Sequence, residues 1–289
     1  MKPSFAIVGC GKVGAALGIF LTRAGYTAAG FASKSLSSAK YLAETVSSDQ
    51  FSDIPWDMTR RADVVFITTP DSVIEDTCGI ISRNKGFADQ AIVLHCSGAL
   101  ASSVLSSAKT CDAWIGSMHP LQSFASINYN ANPFQGVIFS LEGEDPAVHI
   151  AKTIAADLSG TSVTLLTEAK TLYHASAVAA SNYLVTLLDL AVQLMEEAGV
   201  NREDAFGLLK PLIEGTLSNI KKVGVRKSLT GPIARGDVKT VKKHLEEIGF
   251  KKPELLELYK RLAFYTVDIA ATGHTVPESI IRELKKLTA

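Results

Sequence analysis

The residues best suited to chemistry form four groups along the chain. Gly9-Cys10-Gly11-Lys12-Val13-Gly14 follows an apolar run and opens an amphipathic one, the context in which G-x-G-x-x-G cradles a pyrophosphate. Gly9 permits a tight turn, Gly11 lets backbone N–H groups approach an anion, and Gly14 lets the following helix pack on the strand. The alternative is a glycine turn without a ligand. Next, Ser33-Lys34-Ser35 ends the second strand-like run, where an NAD site usually carries Asp or Glu. Hydroxyls and a cation suit a 2′-phosphate instead, which predicts NADP(H), although Ser35 is also a reasonable helix cap. Thr69, Pro70 and Ser97 stand at the ends of later strands and are expected along the cofactor's ribose and nicotinamide half.

The third group is His119-Pro120-Leu121-Gln122, after another strand, where His119 and Gln122 are placed to orient a carbonyl or imine; a histidine in a structural turn is the plainer reading. The fourth opens a long helical stretch. At about 100° per residue, Lys170, His174 and Ser181 share one face, with Asn182 at its edge. A lysine there can bind a carbonyl oxygen and, if burial lowers its pKa, donate a proton; the alternative is an exposed lysine beside a packed histidine. Further on, Thr230 and Arg235 lie in a turn with two glycines and a proline, suited to a substrate carboxylate, while Asp237 equally caps the next helix. HExxH, GxSxG and paired-carboxylate patterns are missing from the sequence, so metal and covalent mechanisms have little support.

These groups need a scaffold, and the 289 residues suffice for two domains. Runs at 4–8, 28–32, 63–69, 91–96, 113–118, 137–141 and 162–166 alternate with amphipathic stretches, the pattern of βαβ units and an α/β fold with a mostly parallel sheet. Beyond residue 166 the periodicity is helical. The expected division is a Rossmann-type NADP-binding domain at 1–166 and an all-α substrate and dimerisation domain at 167–289. Thr167 is the expected N-cap of a buried helix reaching Gly199, about 30 residues and roughly 45 Å. So small a domain cannot cover a helix that long, which points to a homodimer sharing its burial.

Composition narrows the partners. Lys+Arg and Asp+Glu balance at 29 each, which argues against a nucleic-acid binder. Cys10, Cys78, Cys96 and Cys111 lack paired spacing, consistent with reduced thiols and a cytoplasmic location. The apolar stretch 175–195 carries Ser176, Ser181, Asn182, Thr186 and Asp189, poor for a membrane span. The strand-like run begins too near Met1 to leave room for a signal peptide.

Taken in order, VGCGKVG, TTPD, LHCSGAL, SMHPLQSF, KTLYHASAVAASN and LTGPIARGD resemble Rossmann-like proteins with a helical C-terminal domain of formerly unknown function. These are related to pyrroline-5-carboxylate and ketopantoate reductases, with a 6-phosphogluconate-dehydrogenase-like C-terminal domain. The resemblance spans nearly the whole chain. It implies an NADPH-dependent oxidoreductase reducing a small 2-oxo acid, ketopantoate first, with reduction of a C=N bond as the alternative. A non-catalytic NADP sensor or scaffold is the alternative of another class. Lys170 matches the catalytic lysine of that wider group, but His174 stands where its asparagine is expected. On this reading Lys170, assisted by His174, stabilises or protonates the nascent alkoxide. His119 and Gln122 orient the substrate, and Thr230 and Arg235 hold its carboxylate.

Overall fold

The computed structural model describes residues 2–124, 130–273 and 276–289. Strand β1 (Ser4–Val8) leads through a glycine turn into α1 (Lys12–Arg23), β2 (Thr27–Ala32) and α2 (Leu36–Thr45). Then come β3 (Phe51–Ser52), the short α3 (Pro55–Thr59), β4 (Val64–Ile67), α4 (Ile74–Arg83) and β5 (Ile92–His95). A 3₁₀ segment at Ser102–Cys111 precedes β6 (Trp114–Pro120), β7 (Ile138–Gly143), α5 (Asp145–Asp157) and β8 (Thr161–Thr164). Helices α6 (Lys170–Glu197), α7 (Arg202–Val223), α8 (Val238–Lys251), α9 (Pro253–Gly273) and α10 (Glu278–Thr288) complete the chain.

The strands form one eight-stranded sheet in the order β3-β2-β1-β4-β5-β6-β7-β8. Every pairing is parallel except β6 with β7. Strand side chains alternate between faces, and here both faces are apolar. Phe5, Ile7, Phe66 and Leu94 join one buried cluster, while Ala6, Val8, Val65, Ile67 and Val93 join the other. Strand order reverses between β1 and β4, which creates a crevice at their carboxyl ends where open α/β sheets bind ligands.

Seven of the eight strands follow the sequence pattern; β3 is too short for a periodic signal and is recognised only through its pairing with β2. Two expectations for the long helix are corrected. Thr167 lies in a 3₁₀ turn at Thr167–Ala169, and its hydroxyl donates to Glu142 Oε2 at 3.1 Å instead of capping a helix. Nor is the helix buried: in its most apolar 18-residue window, only 6% of residues are buried within the chain. By length and mean hydropathy (1.5) this helix could also cross a membrane.

The chain divides into two compact units, the first ending at Ser181 and the second covering Asn182–Ala289, so α6 runs from one into the other. The second unit has a small core around Val241, Val267 and Leu284. Exposed apolar side chains remain along α6 and α7, with Val185 at 67%, Leu208 at 61% and Leu212 at 69%.

Candidate active site

The first unit assembles two neighbouring sets of groups. The glycine turn is shaped by close approach. Gly9 has φ +103°, and a Cβ on it would lie 2.7 Å from the Thr69 nitrogen, while a Cβ on Gly14 would run into the Gly9 carbonyl oxygen. Thr68 Oγ1 donates to that same carbonyl at 2.6 Å, locking the turn to the end of β4. Gly11 differs: a Cβ there would meet nothing within 4 Å, so its bareness keeps open space beside the start of α1. No side chain caps α1 and no acid occupies its first turn, which leaves backbone N–H groups and the positive end of the helix dipole available to an anion. Thr69 Oγ1 is buried without a partner. An open space, an uncapped helix start and an orphaned hydroxyl fit a nucleotide pyrophosphate.

Lys12 is exposed and Val13 half-buried at the first turn of α1, and Pro70 is exposed beside Thr69. A surface pocket of about 340 Å³ opens next to the turn, between Gly11 and Lys12 on one side and Ser37, Ser38 and Tyr41 on the other. Burial pushes the Cys10 thiol in its wall up to about 12, so it stays protonated. Of the three residues expected at a 2′-phosphate, Ser33 is half-buried and Lys34 exposed. Ser35 is already engaged as the N-cap of α2, its Oγ accepting from the Ser38 N–H at 3.4 Å and lying 2.9 Å from Ser37 Oγ.

The second set gathers where β5 and β6 end. Lys170 is only 2% exposed, and its ammonium donates to the Ser97 carbonyl at 2.8 Å and to Ser117 Oγ at 2.6 Å. Burial lowers its pKa, an effect partly offset by the negative charges of Glu142 and Asp71. Two of its three donors thus tie the segment after β5 to the middle of β6, and the alternative of an exposed lysine does not hold. Ser97, expected along the cofactor, has its hydroxyl engaged within the chain as well. Its hydroxyl donates to Asp71 Oδ2 at 2.7 Å and accepts from the N–H groups of Ala99 and Leu100, at 3.1 and 3.0 Å, which uses its full capacity.

Around Gly98 two imidazoles meet. A Cβ on Gly98 would lie 2.7 Å from His174 Nδ1 and 2.9 Å from His119 Nε2, so only glycine admits both rings. Their centroids are 6.3 Å apart at 79°. His119 Nδ1 lies 3.1 Å from the Tyr173 hydroxyl, and His174 Nδ1 is buried without a partner. Burial, then the charges of Lys170 and His174, push His119 down to about 4, leaving a neutral ring at neutral pH. His95, on β5, is fully buried and pushed down to about 3 by burial and by Lys170.

Sequence reasoning missed Glu142 in this network, while Tyr173, His95 and Asp71 stand in stretches it singled out, at the helix start and at two strand ends. Glu142 is 1% exposed and accepts from the Ser102 N–H at 2.7 Å and Ser102 Oγ at 2.8 Å, which anchors the 3₁₀ segment to β7. Nothing in its own neighbourhood of the sequence marks it. Tyr173, by contrast, was legible as the residue before His174 on a helix start. Gln122 is exposed, and its Oε1 accepts from the Ser123 N–H at 3.1 Å within its own turn. Asn182, Thr230 and Arg235 belong to the second unit. There Asp237 takes the capping role, accepting from the Thr240 N–H at 3.0 Å.

Comparison with known proteins agrees with this architecture. Residues 2–120 match the profile of a Rossmann-like domain, and residues 137–266 match that of a domain of unknown function, DUF2520. The chain thus joins a Rossmann-like domain to a DUF2520 domain, the class that its fold defines. Among solved structures it is similar to protein TM1727 from Thermotoga maritima, at 28% identity and TM-score 0.73, covering 93% of this chain and 98% of that one. It is also similar to a putative NADP oxidoreductase, BF3122, from Bacteroides fragilis, at 20% identity and TM-score 0.73, with the same coverage of 93% and 98%. A pyrroline-5-carboxylate reductase from Coxiella burnetii shares the fold at 14% identity and TM-score 0.58, over 100% of both chains. No curated protein matches the sequence.

Proposed function

We propose that the protein is an NADP(H)-dependent reductase acting on the C=O or C=N carbon of a small oxo or imino acid. The observation that carries this reading is the pairing, in one compact unit, of a nucleotide-fitting turn at the strand-order reversal with the His119–His174 pair at the ends of the adjoining strands. The N–H groups of α1 and Thr69 Oγ1 would hold the pyrophosphate, while Ser33, Lys34 and the serine-rich start of α2 would take the 2′-phosphate. A nicotinamide bound there supplies hydride to the substrate carbon.

The chain's own task is then to orient the substrate and stabilise charge on its heteroatom. His119 is the group suited to this, as a neutral imidazole donating a hydrogen bond from Nε2. Lys170 acts from behind, fixing Ser97 and Ser117 and contributing positive charge. Ketopantoate is the first oxo acid to test. The likeness to a pyrroline-5-carboxylate reductase favours a cyclic imino acid as the second reading. A panel of 2-oxo acids and cyclic imines, followed by loss of NADPH absorbance, separates the two; oxidation with none of them supports the non-catalytic sensor.

We also propose a homodimer in which a second copy covers the apolar faces of α6 and α7. Side chains such as Val185 on α6 and Leu208 and Leu212 on α7 are too exposed for helices that face water alone.

A further inference from the structure

Resting on the reductase reading, we propose that Tyr173 supplies a proton through the ring of His119. The phenol O–H donates to Nδ1, Nε2–H faces the substrate heteroatom, and both protons advance one place as the substrate is reduced. The geometry provides the first link: Tyr173 and His119 lie 3.1 Å apart, their rings edge to face with centroids 5.8 Å apart. Gly98 fixes where the ring sits, since a Cβ there would lie 2.9 Å from His119 Nε2.

The step balances. As the new C–H bond forms, the heteroatom gains an electron pair and takes the proton from Nε2. The pair left on the ring allows Nδ1 to bind the phenol proton, so the imidazole is neutral before and after, with its tautomer reversed. Tyr173 is left as phenolate and recovers its proton from water once product leaves.

The surroundings favour this route over one through imidazolium. Lys170 and His174, on the helix that carries Tyr173, both oppose positive charge on His119, and Asp71 only partly compensates. His95 on the neighbouring strand is held neutral as well. A relay never charges the ring. Burial keeps the phenol protonated through the neutral range, as a donor must be. Ser140, the register partner of His119 on β7, has a buried hydroxyl that closes no short hydrogen bond and lies near enough to favour the ionised phenol. Tyr173 acts on the substrate only through His119, so it is a positioning residue and not a catalytic one.

The test uses the full chain loaded with NADP⁺. Nitrogen-15 NMR of His119, assigned by comparison with His119→Asn, is expected to show the Nε2–H tautomer, and Tyr173→Phe to shift it towards Nδ1–H. With a substrate that turns over, Tyr173→Phe is expected to lower kcat about a hundredfold with KM within about twofold, and to remove the alkaline limb of the kcat profile. A fluorinated tyrosine at 173, which lowers the phenol pKa, is expected to move that limb to lower pH. An Nδ1–H tautomer in the parent protein, or a tautomer indifferent to Tyr173→Phe, overturns the relay. The tautomer needs no turnover, so a protein that reduces nothing on the panel contradicts the reductase reading separately.

Discussion

Lys170 Nζ donates to the carbonyl of Ser97, a residue 73 positions earlier in the chain, at 2.8 Å. This bond, with the one to Ser117 Oγ at 2.6 Å, ties the start of α6 to the segment after β5 and to the middle of β6. Replacing Lys170 by Met leaves a buried carbonyl and hydroxyl without their donor. A loss of about 3 kcal/mol is expected, read from the urea midpoint, together with a loss of turnover. Lost turnover at an unchanged midpoint would return the lysine to the role of a simple proton donor.

The two ends of the glycine turn should separate folding from binding. Gly14→Ala forces a methyl group into the Gly9 carbonyl and is expected to destabilise by about 1–3 kcal/mol. Gly11→Ala adds its methyl to open space, so its thermal midpoint should match the parent while NADPH affinity falls at least about tenfold. Calorimetric titration of Gly11→Ala checks this; unchanged affinity would place the nucleotide elsewhere.

Acid should weaken the fold through His95. Its pKa is about 3 when folded and near the ordinary 6.5 when unfolded, so above 6.5 it is neutral in both states and contributes no pH dependence. As pH falls from 6.5 to 3, the unfolded chain takes up the proton first and stability is lost, by up to about 4 kcal/mol. Protonating Nδ1 would also break its 3.1 Å bond from the Ser97 N–H. Urea midpoints between pH 7 and pH 4 should fall steeply for the parent and less steeply for His95→Asn. Parallel slopes would assign the loss to other groups.

The proposed dimer covers the exposed apolar side chains of α6 and α7. Sedimentation at micromolar concentration should give a dimer, and Leu208→Glu with Leu212→Glu, one turn apart on α7, should give a folded monomer. A monomeric parent, or one that partitions onto lipid vesicles, would contradict the dimer.

Much of the first unit was legible because its signals are local. Strands such as Val64–Ile67 and Ile92–His95 are continuous apolar runs, and the glycine turn reads directly from spacing. The site was only half legible. His119, Lys170 and His174 stand out by type and by their place at strand or helix ends, but what each does depends on partners far away in sequence. The burial of Lys170 shows only once Ser97 and Ser117 are seen to hold it, and Ser35, a phosphate ligand or a helix cap by sequence, is seen to accept from Ser38. Glu142 was invisible, since a lone acid in a strand gains meaning only from Ser102 and Thr167, 40 and 25 residues away.

In the proposed reaction the first unit holds a nicotinamide whose hydride meets a substrate at His119. Stopped-flow loss of NADPH absorbance, with the best acceptor of the panel, measures that transfer directly in the parent and in His119→Asn. The parent should oxidise NADPH in proportion to acceptor, and the variant, binding NADPH equally well, should do so at least about a hundredfold more slowly. Equal rates in the two proteins would remove His119 from the reaction, and no oxidation by the parent with any acceptor would remove the reductase activity itself.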